Sequence, residues 1–187
     1  MKRPKIVAIT IICLVSVIIN IVAIVNYNNA KRFFIFRIYS HLVNIEKILE
    51  GMSSYRASNE GLDEYLTNAL EEECIELNVT VISLNAIQSN NQGVYGFREF
   101  NYKMVNDLYT VNDIEAAREN IKLLIMELSL NKQLEYGEYG NILKNPDYSL
   151  SISRIIDLIN GFSVKYQQRH VEEVLRYFAK HLQCPMT

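Results

Sequence analysis

Residues 6–25 form an apolar run with no charged residue, directly after the basic cluster Lys2, Arg3 and Lys5. At a rise of ~1.5 Å per residue, ~20 residues cover the ~30 Å of bilayer hydrocarbon, so the run predicts one membrane-crossing helix. Beyond it the apolar positions change to a heptad spacing. Ile35, Ile38, Leu42, Ile45, Leu49 and Met52 alternate gaps of three and four. That is the narrow seam of a helix packed on other helices. No breaker separates seam from span, so the pattern predicts one rod from about Pro4 to Tyr55, with residues 26–29 as the place for a bend. Ser58, Asn59, Glu60 and Gly61 read as a turn.

Three further runs carry helical spacing. The second extends from about Leu62 to Gln88, with the seam Leu66, Leu70, Cys74, Leu77, Val81 and Leu84. The third starts weakly at Tyr102, becomes clear after Asn112 or Asp113 as N-cap, and fades near Leu134; its seam is Ile114, Ala117, Ile121, Leu124 and Leu128. The fourth begins near Ser149 with Ile152, Ile155, Ile159, Phe162 and Tyr166, and resumes out of phase with Val171, Leu175, Phe178 and Leu182. A kink or a change of packing partner is expected at that phase shift, with Gly161 as the weak point. The predicted fold is all-α: an N-terminal transmembrane helix followed by an elongated antiparallel bundle of about four helices. Residues 1–5 form a basic cytoplasmic N-terminus, 6–25 the anchor and 26–187 the bundle. Strict alternation of direction puts the loop around residues 90–101 near the membrane and the loop around 136–148 at the distal tip.

The apolar run is too long for the core of a cleavable signal peptide, and Asn28-Asn29-Ala30 is a poor cleavage site. A lipoprotein signal at Cys13 is disfavoured by Ile12 before it and by the apolar residues after it. An uncleaved signal-anchor, crossing the cell membrane once, is the reading that fits. Lys2, Arg3 and Lys5 on one side outweigh the more distant Lys31, Arg32 and Arg37 on the other. The bulk of the chain is therefore expected outside the cytoplasm.

All 21 acidic residues but only 16 of the 19 Lys and Arg lie in residues 26–187. The resulting acidic balance and the lack of a basic stripe argue against nucleic acid as partner. Cys74 and Cys184 would be able to pair in an oxidising compartment, but the predicted layout does not bring them together, and Cys74 reads as a core residue.

Chemistry is sparse. His170, Glu173, Tyr177 and His181 share a helix face beside the seam, but they read as a solvated face and no metal or cofactor is expected. Glu71, Glu72 and Glu73 point in different directions on a helix and do not form a chelating cluster. The sequon Asn78-Val79-Thr80 falls mid-helix, which argues against its use. No nucleophile elbow, phosphate loop or dinucleotide fingerprint occurs. The chain is therefore expected not to be an enzyme. The expected function is that of a membrane-anchored scaffold, assembly factor or accessory subunit acting through protein–protein contact. Candidate contact residues are the loop aromatics Tyr136, Tyr139 and Tyr148, and secondarily Tyr95, Phe97 and Phe100, which can anchor an interface or cap the core. The alternative is an extracytoplasmic ligand-binding or sensory bundle with a pocket near Tyr166 and His170 and a separate signalling partner. In outline, not in sequence, the layout is similar to the membrane-tethered helical sensor modules of bacterial receptors, without their second span and output domain. The expected partners are the bilayer, through residues 6–25, an unidentified protein, and a second copy, because the seam of the first helix suits either its own bundle or a homo-oligomer.

Overall fold

A computed structural model describes residues 3–58, 63–88, 97, 100, 111–129 and 146–163, with side chains from residue 11 onward. The described residues form helices and turns, with a single antiparallel bridge between Ser129 and Pro146.

The first helix, α1, runs without a break over Arg3–Ser58, 56 residues. Residues 26–29 are helical, with no Gly or Pro among them or beside them to break the backbone hydrogen-bond ladder. Every residue from 11 to 29 is exposed, and burial begins at Ala30. The helix therefore has a bare apolar part and a packed part. The bare part is long and apolar enough to cross a membrane, and none of its apolar window is buried by the rest of the chain. In the packed part, Ile35, Ile38, Leu42, Ile45, Leu49 and Met52 are all 2% exposed or less. The seam is filled from within the chain itself.

The second helix, α2, spans Glu64–Ile87. Asp63 caps it, its side chain accepting from the Tyr65 and Leu66 backbone N–H groups at 2.8 and 3.3 Å. Glu64 adds a negative charge to the first turn, where the helix dipole favours it. Replacing Asp63 by alanine is expected to cost about 1 kcal/mol, read as a shift in the denaturation midpoint of the full chain. The segment 79–84, rich in β-branched residues, stays helical, and its Thr80 and Ser83 hydroxyls donate to the carbonyls of Glu76 and Val79. Leu70, Cys74, Leu77, Val81 and Leu84 are buried.

The third helix, α3, covers Val111–Glu127. Asn112 and Asp113 were expected to cap it; instead they lie inside its first turn. An acidic residue one turn in complements the dipole as well as a cap does, so the sequence signal was displaced by a residue or two. The fourth, α4, occupies 152–163 and passes through Gly161. Ser151 caps it, with its hydroxyl accepting from Arg154 N at 3.2 Å and its carbonyl from Ile155 N at 3.1 Å. The expected phase shift beyond Tyr166 lies outside the described residues.

Side-chain pairs fix the directions. Arg37 meets Glu76, His41 meets Glu73, and a Cβ on Gly51 would sit 3.4 Å from Leu66. As numbers rise on α1 they fall on α2, so the two are antiparallel. Tyr39 meets Ser129, and Arg118 meets Glu46 and Glu50, so α3 is antiparallel to α1 as well. Helices α2 and α3 therefore run in the same direction, which corrects the strictly alternating order expected from sequence. The physical reason is that the connection between α2 and α3 is long enough to carry the chain from one end of the bundle to the other, so neighbours in sequence need not alternate in direction. Phe100, within that connection, is helical and buried.

The core is a single cluster built from all four helices, with Phe97 and Phe100 added. Each fully buried Leu, Ile or Phe contributes about 1.5–3 kcal/mol by leaving water.

Candidate functional site

The end of the bundle that adjoins the bare part of α1 is here called its base. Asn28, Lys31 and Arg32 are spaced by three and then one, so they share one side of α1. Tyr148 reaches that side from the segment before α4. Together the four residues line an open cleft of about 300 Å³. The Arg32 guanidinium lies over the Tyr148 ring, 5.0 Å from its centroid. This is a cation–π contact, worth about 0.5–1 kcal/mol where it is exposed to water.

Local bonding explains how Tyr148 gets there. Asp147 N donates to the Leu128 carbonyl at 2.8 Å, next to the Ser129–Pro146 bridge. The Asp147 carboxylate accepts from Ser149 N at 2.9 Å and from the Ser149 hydroxyl, forming an Asx-type turn. Ser129 donates its hydroxyl to the Ile125 carbonyl at 2.7 Å. The Tyr39 hydroxyl lies 2.9 Å from the Ser129 hydroxyl, and the two share a buried hydrogen bond. Tyr39 to Ser129, Pro146 to Tyr148, and Tyr148 to Arg32 close a circuit that begins and ends on α1.

Exposed aromatics surround the base. Tyr27, Phe33 and Phe36 are 41%, 54% and 43% exposed. Phe33 meets Phe34 edge to face and lies 5.9 Å from the Arg37 guanidinium. Of these, Tyr27 is the amphipathic one, with an apolar ring and a polar hydroxyl, the type enriched beside apolar spans.

The sequence-predicted contact residues divide. Tyr148 sits at the base, not at the distal tip, so the expected place of the 136–148 loop is corrected at its described end. Its position follows from the bridge to the end of α3, which periodicity does not encode. Phe97 and Phe100 are each 1% exposed. Phe97 stacks on Phe162 at 4.9 Å, and Phe100 meets the same ring at 5.4 Å. They fill the core and offer no surface for a partner. Tyr95, Tyr136 and Tyr139 lie outside the described residues, as do Cys184, Tyr166 and the His170–His181 face. Lys31 and Arg32 figure in the sequence only as topology signals. Their position six and seven residues after Val25, followed by two phenylalanines, is the sequence feature that marks this cleft.

Higher in the bundle, polar groups join α1 to its neighbours. His41 Nδ1 and Asn44 Nδ2 both contact the Glu73 carboxylate, at 2.7 and 2.9 Å. Arg118 Nε donates to Glu46 at 2.6 Å, and its other nitrogens approach Glu50 and Glu115 at 2.7 and 3.7 Å. Burial works against charge on Arg118, but the Glu46 hydrogen bond and the three carboxylates outweigh it and raise its pKa further.

Burial, with Glu73 and Glu71 adding repulsion, pushes the Cys74 thiol pKa far up, and burial also raises that of Tyr39 against the opposing Ser129 bond. Both folded pKa values lie above the unfolded ones, about 8.5 for Cys and 10 for Tyr. The stability they contribute is complete below about pH 8.5 and is lost as pH rises toward the folded values. Between about pH 9 and 10, Cys74 should add a slope of about 1.4 kcal/mol per pH unit, absent from Cys74→Ala when both are denatured over that range. The Cys74 thiol should also resist alkylation at pH 8 until the bundle unfolds.

No protein family matches the chain, and no curated protein or solved structure is significantly similar to it.

Proposed function

We propose that the chain is a non-enzymatic protein anchored by residues 6–25 as a single span in the cell membrane, with its bundle outside the cytoplasm, and that it acts by binding another protein. The observation that carries this reading is α1 itself: one uninterrupted helix whose first part is apolar and bare and whose second part is the spine of the core. A bare apolar stretch of that length needs either lipid or protein around it. The basic cluster at its start favours lipid, with that end inside.

The outer face of α2 supports the partner. Ile75, Val79 and Ile82, spaced four and three, are 54–55% exposed, and they form an apolar stripe on the side away from the core. Glu71 and Glu72 flank it and are exposed. Two copies anchored in one membrane stand parallel, so pairing stripe to stripe would set these glutamates against their own counterparts. The occupant is therefore a different chain, with an apolar stripe bordered by Lys or Arg. A scaffold or accessory subunit needs no more than this. The anchor confines it to a surface and raises its effective concentration against neighbours there.

Topology comes first as a test. C-terminal alkaline phosphatase should be active and a C-terminal fluorescent protein dark; the reverse result places the bundle in the cytoplasm. A photo-crosslinker at Val79 in living cells should then give one discrete adduct with a chain other than its own. Self-adducts alone, or none, reject the heterologous partner.

A further inference from the structure

We propose that the cleft of Asn28, Lys31, Arg32 and Tyr148 binds the phosphate of an anionic phospholipid, drawn from the bilayer that the anchor spans. The inference rests on the anchor reading and adds a ligand to it.

Height is the first argument. The bilayer is ~30 Å thick in its hydrocarbon and ~40–45 Å with headgroups, so the headgroup layer is ~5–8 Å deep on each side. Measured from Val25 at ~1.5 Å per residue, Asn28 stands ~5 Å and Arg32 ~10 Å beyond the apolar run. The cleft therefore spans the phosphate level.

Charge is the second. Arg37, Arg118, Lys122 and Arg154 each meet a carboxylate within the chain. Lys31 and Arg32 have no ion-pair partner among the described residues, although both lie where the bundle begins. Adjacent cations left unpaired on a chain with an acidic balance are poised for an external anion. Asn28, one turn earlier, supplies an amide donor to the same side.

Shape is the third. The Arg32 guanidinium lies over the Tyr148 ring, 5.0 Å from its centroid. The ring places the guanidinium in the cleft without using any of its N–H groups as conventional hydrogen-bond donors, and two phosphate oxygens match that fork. Tyr148 is itself held by the Asp147 turn and the Ser129–Pro146 bridge, so the cleft wall is built by the fold and not by a loose side chain. About 300 Å³ accommodates a glycerophosphate headgroup with its water.

The test uses the full chain in mild nonionic detergent, with lipid retention read by native mass spectrometry. Phosphatidylglycerol should be retained in preference to phosphatidylcholine. Each cation removed should reduce that preference about fivefold, so Lys31→Gln with Arg32→Gln should abolish it. Tyr148→Ala should weaken it, while Tyr148→Phe keeps the ring and most of the binding. Circular dichroism melts of each variant verify that the bundle stays folded. The control is Lys2→Gln with Arg3→Gln at the other end of the span. Unchanged preference in the Lys31/Arg32 variant, or loss in the control alone, overturns the proposal. Displacement of phosphatidylglycerol by millimolar inorganic phosphate would make this a free-phosphate site and overturn the lipid assignment. Alkaline extraction of native membranes separates the two readings: release of the protein defeats the anchor, whereas retention without lipid preference defeats only the cleft.

Discussion

Replacing Arg118 by alanine should destabilise the bundle by about 3–5 kcal/mol, the cost of breaking a buried ion pair by removing one partner. Arg118 serves three carboxylates at once, on two helices. The Glu46 side chain is only 3% exposed, so water cannot replace the guanidinium there. Glu50 and Glu115 would remain beside it as uncompensated like charges. Arg118→Lys should recover little, because one ammonium cannot hold several carboxylates with the geometry of a planar fork. Pairing Arg118→Leu with Glu46→Leu should recover most of the loss, since apolar residues of similar volume commonly replace a buried pair without cost. Denaturant melts, in detergent, of the wild-type chain and these three variants check it. A loss below about 1 kcal/mol for Arg118→Ala would mean that the cluster behaves as surface ion pairs do. The consequence reaches past stability, because Arg118 is a principal polar link between α1 and α3, and a weakened link frees α3 from the spine.

Phe162→Ala should cost about 3–5 kcal/mol, as truncation of a buried aromatic does. Phe162 is 8% exposed and lies against two other rings, parallel to Phe97 and tilted against Phe100. Phe97 and Phe100 also touch each other edge to face at 5.6 Å. The three rings tie Phe97 and Phe100 to α4, although some sixty positions separate them in the chain. Coupling between Phe97→Ala and Phe162→Ala should be about 0.5–1.5 kcal/mol, read from a double-mutant cycle. Hydrogen exchange around residues 97–100 should quicken in Phe162→Ala well before global unfolding. Unaltered exchange there would show that the segment is held by something other than this ring.

Much of the core was legible because spacing by three and four leaves a side chain no other face to occupy. The α1 seam, from Ile35 to Met52, and the α3 seam, from Ile114 to Leu128, are buried residue for residue. Periodicity is nonetheless blind to the neighbour. It shows which face of a helix is covered, not by which helix or in which direction, so the parallel course of α2 and α3 could not be read from it. It also misjudges polar residues that enter an interface in pairs. Glu46 and Lys122 look solvated by type, yet both are buried. The candidate site was legible in its parts but not in its assembly. Lys31 and Arg32 stand beside the apolar run in the sequence, whereas Tyr148 joins them only because Ser129 and Pro146 bridge.

The unbroken course of α1 makes the protein a drive shaft. Since no turn separates the bare part from the packed part, the azimuth of the bundle is locked to the rotation of the bare apolar part. Inserting one residue among 26–29 would swing the bundle by ~100° and lift it by ~1.5 Å. Four inserted residues would leave a net swing of ~40° at a lift of ~6 Å, and seven a swing of only ~20° at ~10 Å. Partner contact that depends on which way the α2 stripe faces would therefore fail and recover with helical phase, not with linker length.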